Sequence, residues 1–188
     1  LLPQDFQKPL KAAVLYFKVG QFQKAGEMIA LAEGINQQSA EIYSMKAKCL
    51  YALKKYNDAY QSSGKAIQLN TSPENHYIHG IIAIELKKFE EALNDFEQAV
   101  KLKPGFSDAL VKKSQVLVEL ERVDEALSTL NSVIGSSEKN KEAYVLRAGI
   151  YENRKEYNAA IKDLTVAVAL SPETKVYFKR AGLYQKNM

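Results

Sequence analysis

Three side chains could do chemistry on their own account. Cys49 is the only cysteine in 188 residues, and a thiol becomes a nucleophile or a metal ligand once its surroundings favour the thiolate. His76 and His79 stand three residues apart. On a helix that spacing puts two imidazoles on one face, as a zinc site would use them. Neither feature has company of the right kind. No third ligand type falls near the histidines, and the chain has no Gly-x-Ser-x-Gly elbow, Cys-x-x-Cys pair or phosphate-cradling glycine loop. What these side chains do therefore depends on the elements that carry them.

The stretch "LKKFEEALNDFEQAVKLKPG", Leu86 to Gly105, defines one such element. Phe89, Ala92, Phe96 and Ala99 follow each other at spacings of three and four, one stripe of a helix, with Glu90, Asn94 and Lys101 on the wet side. Pro104-Gly105 ends it. Alone this helix is too short to be stable, but the chain makes it again. Taking Ala92 as marker, equivalents fall at Ala25, Ala59, Ala126 and Ala160, at steps of 34, 33, 34 and 34 residues. Three before each marker stand Phe22, Tyr56, Phe89, Val123 and Tyr157. Seven after stand Ala32, Ala66, Ala99, Val133 and Ala167. Twelve before, every residue is small: Ala13, Ala47, Gly80, Ser114 and Ala148. Nine before are Tyr16, Leu50, Ala83, Leu117 and Tyr151. A period of this size held over five copies indicates a solenoid of helix pairs. The small columns mark where the two helices of a pair cross, and the larger residues fill the space beside them.

This register reinterprets the candidate chemistry. Cys49 occupies a column that otherwise reads Leu15, Ile82, Val116, Ile150 and Leu183, so it is expected to be a small buried hydrophobe. His76 shares its column with Tyr43, Leu110, Tyr144 and Tyr177, a packing column. No metal, cofactor or catalytic residue is expected. Two charged columns remain. Glu41, Glu74, Asp108 and Glu142 begin each first helix, where they favour the helix dipole; read functionally, they would form an acidic row. Lys46, His79, Lys113, Arg147 and Arg180 read as side chains whose stems cover the joints between repeats.

These columns resemble those of the tetratricopeptide repeat family, in which a small residue, a large apolar residue, a turn, then alanine, aromatic, alanine and proline recur. The third and fifth copies, "HYIHGIIAIELKKFEEALNDFEQAVKLKP" and "AYVLRAGIYENRKEYNAAIKDLTVAVALSP", carry the pattern well. The likeness covers about residues 6–172, and "YFKRAGLYQKN" looks like the first helix of a sixth copy. Gln37, Thr71 and Glu138 stand where the closing proline is missing, and Ser63 replaces the aromatic of copy two. The resemblance implies an all-α, right-handed α-α superhelix. Its repeats span about 6–39, 40–72, 73–106, 107–140 and 141–173, followed by a further first helix at 174–188. It also implies a non-catalytic interaction module whose first helices line a concave side. One subgroup grips acidic chaperone tails with lysine, asparagine and arginine. The matching positions here, Leu10, Val14, Met45, Glu74 and Ile78, or Ser44, Lys48, Ile78, Asp108 and Lys112 one repeat on, do not supply that set, so an acidic chaperone tail is not expected.

Composition narrows the partner classes. The net charge of +4 comes from 26 basic and 22 acidic residues, and Lys54-Lys55, Lys87-Lys88 and Lys112-Lys113 are interrupted by acids. No clustered basic face argues for nucleic acid, and no apolar run reaches membrane-spanning length. One cysteine without a disulfide framework points to a reducing, intracellular and cytoplasmic setting. The chain has no initiator methionine and stops inside a sixth repeat, which reads as a fragment of a longer protein. The expected function is an adaptor or assembly scaffold. The alternative is a spacer or self-association segment, possible as a homo-oligomer, with its groove covered by the parent chain. The middle first helix, Asn75 to Lys87, is apolar beyond what its own repeat needs. Tyr77, Ile78, Ile81 and Ile84 are expected on the concave side, extended by Val111, Val118, Val145 and Leu146 and edged by Glu85, Glu119 and Glu152. That strip predicts another protein's peptide or amphipathic helix, apolar with basic residues, as partner.

Overall fold

The computed structural model describes residues 5–137 and 139–187. Within them every regular element is an α-helix. The helices fall into two compact units. The first unit, up to Lys103, holds α1 (Gln7–Lys18), α2 (Phe22–Ile35), α3 (Ala40–Ala52), α4 (Tyr56–Leu69), α5 (Pro73–Glu85) and α6 (Phe89–Leu102). The second, from Pro104, holds α7 (Ser107–Glu119), α8 (Val123–Ser136), α9 (Lys141–Asn153), α10 (Tyr157–Leu170) and α11 (Thr174–Lys186). Within each unit, helices α1 to α6 and α7 to α11 each pack against the helix that follows them, and α1 also meets α3, α3 meets α5 and α7 meets α9. Glu138, where the fourth closing proline is missing, lies outside the described residues.

The period follows from local chemistry. Each first helix ends in the same turn, with one residue in the left-handed region: Gly20 at φ 76°, then Lys54, Lys87, Glu121 and Lys155 at φ 58–61°. In the third pair Lys88 N donates to Ala83 O and Lys87 N to Ile84 O, both at 2.9 Å. That pattern is a Schellman closure. Only the first copy keeps glycine there, although a lysine or glutamate side chain at positive φ is strained. Ser72 caps α5 by accepting from Asn75 N at 3.2 Å ahead of Pro73, and Asn140 caps α9 by accepting from Ala143 N at 3.0 Å.

The marker column is the axis of every pair: Ala25, Ala59, Ala92, Ala126 and Ala160 are all 0% exposed. Ala13, Ala47, Gly80, Ser114 and Ala148 are buried opposite them. A residue with no more than a methyl or hydroxymethyl group lets two helix backbones approach closely, so these positions share a size constraint. Ser63, in the aromatic column, is buried and satisfies its hydroxyl by donating to Tyr60 O at 3.0 Å. Among the described residues no helix is long and apolar enough to cross a membrane.

Candidate functional site

Cys49 sits on α3 with its thiol donating to Phe22 O, 2.9 Å away on α2. It is 2% exposed, and burial pushes the thiol above its usual range. A thiol that resists ionisation behind a packed helix is a poor nucleophile. Alkylation of Cys49 by iodoacetamide is therefore expected to be slow in the native protein and fast in denaturant; rapid native labelling would contradict this burial.

The two histidines meet a carboxylate. Asp95 on α6 is buried and lies 2.9 Å from His76 Nδ1, with its other oxygen against His79 Nδ1. Both imidazoles donate, because a carboxylate only accepts. The His79 ring packs on Tyr60, centroids 4.2 Å apart, and the Tyr60 hydroxyl donates to Glu91. In the second unit Arg147 takes the register position of His79 and Asp163 that of Asp95. Nε and Nη2 of Arg147 reach Asp163 at 2.8 and 2.7 Å, which raises the guanidinium within its already high range. In these two repeats the base anchors the first helix to the carboxylate of its own second helix, whereas Lys46 on α3 reaches back across the joint to Glu33 on α2 at 2.7 Å. The sequence carried the signal three residues past the marker, where Met28, Ser62, Asp95, Thr129 and Asp163 align. Among the described residues no three His, Cys, Asp or Glu side chains are arranged to hold a metal.

In the first unit the apolar residues of α5 divide. Tyr77 packs its ring toward Phe96, centroids 6.0 Å apart. Ile78 packs on the buried cluster of Ala47, Ala59 and Ile82, while Ile81 and Ile84 are half-buried. Glu85 accepts a 3.1 Å hydrogen bond from the Tyr51 hydroxyl of α3. Burial and that bond push the Tyr51 phenol up to about 12. A second cleft of about 620 Å³ opens along α1 and α3, floored by Leu10, Val14, Leu15 and Met45 beside Lys11, Glu41 and Lys48. Leu10 lies in the Tyr77 column, so register alone could have found it.

In the second unit Val111, Val145 and Leu146 do come together, joined by Val176, in a cleft of about 610 Å³. Its rim carries Lys112, Lys141, Lys175 and Lys179 with Glu142 and Glu173. Lys141 pairs with Glu173 and lies 3.6 Å from Glu142. Glu152 is met by Lys186 at 2.8 Å and Lys179 at 3.5 Å from α11, and the Lys186 bond holds its carboxyl below the usual range. Val118 is half-buried and Glu119 exposed; neither lines this cleft. The rim here is thus richer in lysine than in free acid.

Family models for the tetratricopeptide repeat match residues 83–150 and 141–174, and one for anaphase-promoting complex subunit 3 matches residues 36–99. The chain is 31% identical over 94 residues to "Protein STIP1 homolog" of Dictyostelium discoideum, covering 48% of this chain and 16% of that protein. It is 29% identical over 108 residues to "Heat shock protein STI1" of Saccharomyces cerevisiae, covering 56% and 18%. The chain thus spans less than a fifth of the length of these relatives. Among solved structures, YrrB, described as "a TPR protein with an unusual peptide-binding site", aligns at a TM-score of 0.75 and 19% identity, over 98% of this chain and 93% of its own.

Proposed function

We propose, starting from the fact that the chain belongs to the tetratricopeptide repeat family, that its first helices hold a segment of another protein as an adaptor or assembly scaffold. The family is a protein-interaction fold and is generally non-catalytic. The observation that carries the reading is the surplus of apolar surface on the first helices. Ile81 and Ile84 in the first unit, and Val111, Val145 and Leu146 in the second, remain part-exposed although their repeats already have complete cores. Apolar surface of this kind, edged by charge, favours a partner helix or extended peptide.

Charge sets the polarity of that segment. Against α5 and α7, Glu85 and Glu119 favour lysine or arginine in the partner, whereas Lys112, Lys175 and Lys179 beside the second unit's cleft favour a carboxylate there. A segment held against α5 is accordingly apolar with basic residues, and one held in the second unit's cleft is apolar with an acid. A reducing, intracellular setting suits a module whose one thiol is held protonated and buried. Ile81→Asp tests the reading cleanly; Ile78 is a poorer choice because it also packs between repeats. Ile81→Asp is expected to abolish co-precipitation of the partner that wild type captures from lysate, with the melting curve unchanged. Capture that survives the substitution would sink the assignment to this face.

A further inference from the structure

Within the second unit, Glu152 and Lys186 occupy matching points of neighbouring first helices, 34 residues apart, and form an ion pair at 2.8 Å. The same two register positions in the first unit are Tyr51 on α3 and Glu85 on α5. There the carboxylate meets a phenol: the Tyr51 hydroxyl donates to Glu85 Oε1 at 3.1 Å. Burial first, then Glu85 and the phenols of Tyr56 and Tyr77, push Tyr51 up to about 12. The donor therefore stays neutral at physiological pH, and it fixes the carboxylate without giving it a counter-charge.

Nothing else in the first unit supplies that charge. Among its described residues no lysine or histidine stands within ion-pairing distance of Glu85. Lys48, one turn before Tyr51 on α3, lines the α1–α3 cleft, and Lys88, past the end of α5, pairs with Glu91 at 3.2 Å. Glu85 is exposed and is the last residue of α5, where the helix dipole adds negative potential of its own. It follows Ile81 by one turn on the same side of the helix and is next to the half-buried Ile84. The Tyr51 ring lies against Tyr56, centroids 5.6 Å apart, so aromatic as well as aliphatic surface borders the carboxylate.

We propose that Glu85, held by Tyr51, selects an arginine in the partner segment that lies on the α5 face, beside the apolar side chains that meet Ile81 and Ile84. The inference rests on the reading that this face holds another protein, and it names the residue that the face selects. Arginine fits better than lysine for two reasons. Its planar fork matches a carboxylate whose orientation is already fixed, with Oε1 engaged by Tyr51. It also stacks on tyrosine rings and is more weakly hydrated than an ammonium, so it costs less to bring against Ile81 and Ile84. A second copy of this chain is a poor source. Of its four arginines, Arg122, Arg147 and Arg154 are already tied to carboxylates of their own unit.

The probes are three end-blocked peptides of leucine, alanine and serine in an amphipathic helical pattern, identical except for a central arginine, lysine or glutamine. Titrations of the isotope-labelled full chain are read from the amide shifts of α3 and α5. The arginine peptide is expected to bind about tenfold more tightly than the glutamine peptide, with lysine between them. Glu85→Gln should erase that ranking, and Glu85→Lys should reverse it in favour of a peptide with a central glutamate. Tyr51→Phe leaves the charge but releases the carboxylate, so it should bring arginine down to lysine; a merely structural role for Tyr51 would weaken all the peptides alike. Ile81→Asp controls for the face itself and should abolish binding of every peptide. If it does, and the ranking nevertheless survives Glu85→Gln, the arginine site is overturned and the face stands. Absence of saturable binding, or binding that ignores Ile81→Asp, would remove the face and the arginine site together. Amide shifts of α5 that depend on chain concentration without any peptide would give the face to a second copy and overturn the proposal.

Discussion

Phe96→Ala lowers the unfolding free energy of the first unit by about 3–5 kcal/mol, the usual cost of deleting a fully packed aromatic ring. Phe96 is 0% exposed and is among the largest fully buried side chains of the protein. Its ring occupies the space that Gly80 leaves open: a Cβ placed on Gly80 would stand 2.8 and 2.9 Å from two ring carbons. The two positions therefore form one packing unit, and the sign of a second substitution depends on the first. In wild type, Gly80→Ala drives a methyl into a ring that cannot retreat. The overpacking cost of about 1–3 kcal/mol exceeds the gain of roughly 0.5–1 kcal/mol from replacing a helical glycine. In the Phe96→Ala background the same methyl enters a void, so Gly80→Ala should stabilise. Urea titrations of the four proteins complete the cycle, with amide exchange reporting which repeats open, because a repeat array need not melt in one step. Gly80→Ala with the same effect in both backgrounds would show that the two positions do not share a cavity.

The second large effect concerns Asp163. It is 4% exposed, and both its oxygens accept from Arg147, whose side chain is 17% exposed. Asp163→Ala strands the guanidinium beside the Tyr144 and Tyr151 rings, 5.7 and 5.8 Å from their centroids, with Asn131 as its remaining side-chain partner among the described residues. Removing one member of a buried pair costs about 3–5 kcal/mol because the other charge stays behind. Replacing both, as Arg147→Met with Asp163→Leu, should recover most of that loss, since an apolar pair of similar volume avoids the desolvation altogether. A double variant as unstable as Asp163→Ala alone would mean that the pair contributes more than it costs to bury.

Much of the fold was legible because a tetratricopeptide repeat states its constraints five times. Ala92 alone says little; Ala25, Ala59, Ala92, Ala126 and Ala160 at a fixed step say that two helices must cross there, and all five are sealed. The candidate faces were less legible. Register placed Val111, Val145 and Leu146 together, yet it treated Ile78 as it treated Ile81. The difference between them is a neighbour, the cluster of Ala47, Ala59 and Ile82, which no spacing within α5 encodes.

The sequence by itself determined the helices, their turns and the positions that must be small. Those are short-range properties, set by a period of about 3.6 residues per turn and by the size of single side chains. Tertiary structure decided what each register position meets. Leu15 and Cys49 share a column, but Leu15 is 64% exposed and Cys49 2%, because a preceding second helix covers only the latter among the described residues. Glu152 reads as a free acidic edge until Lys186, 34 residues on, reaches it. Tyr144 and Tyr177 are the same residue in the same column, one sealed and one open, because burial and charge pairing belong to the contact between helices and not to the helix that carries the side chain.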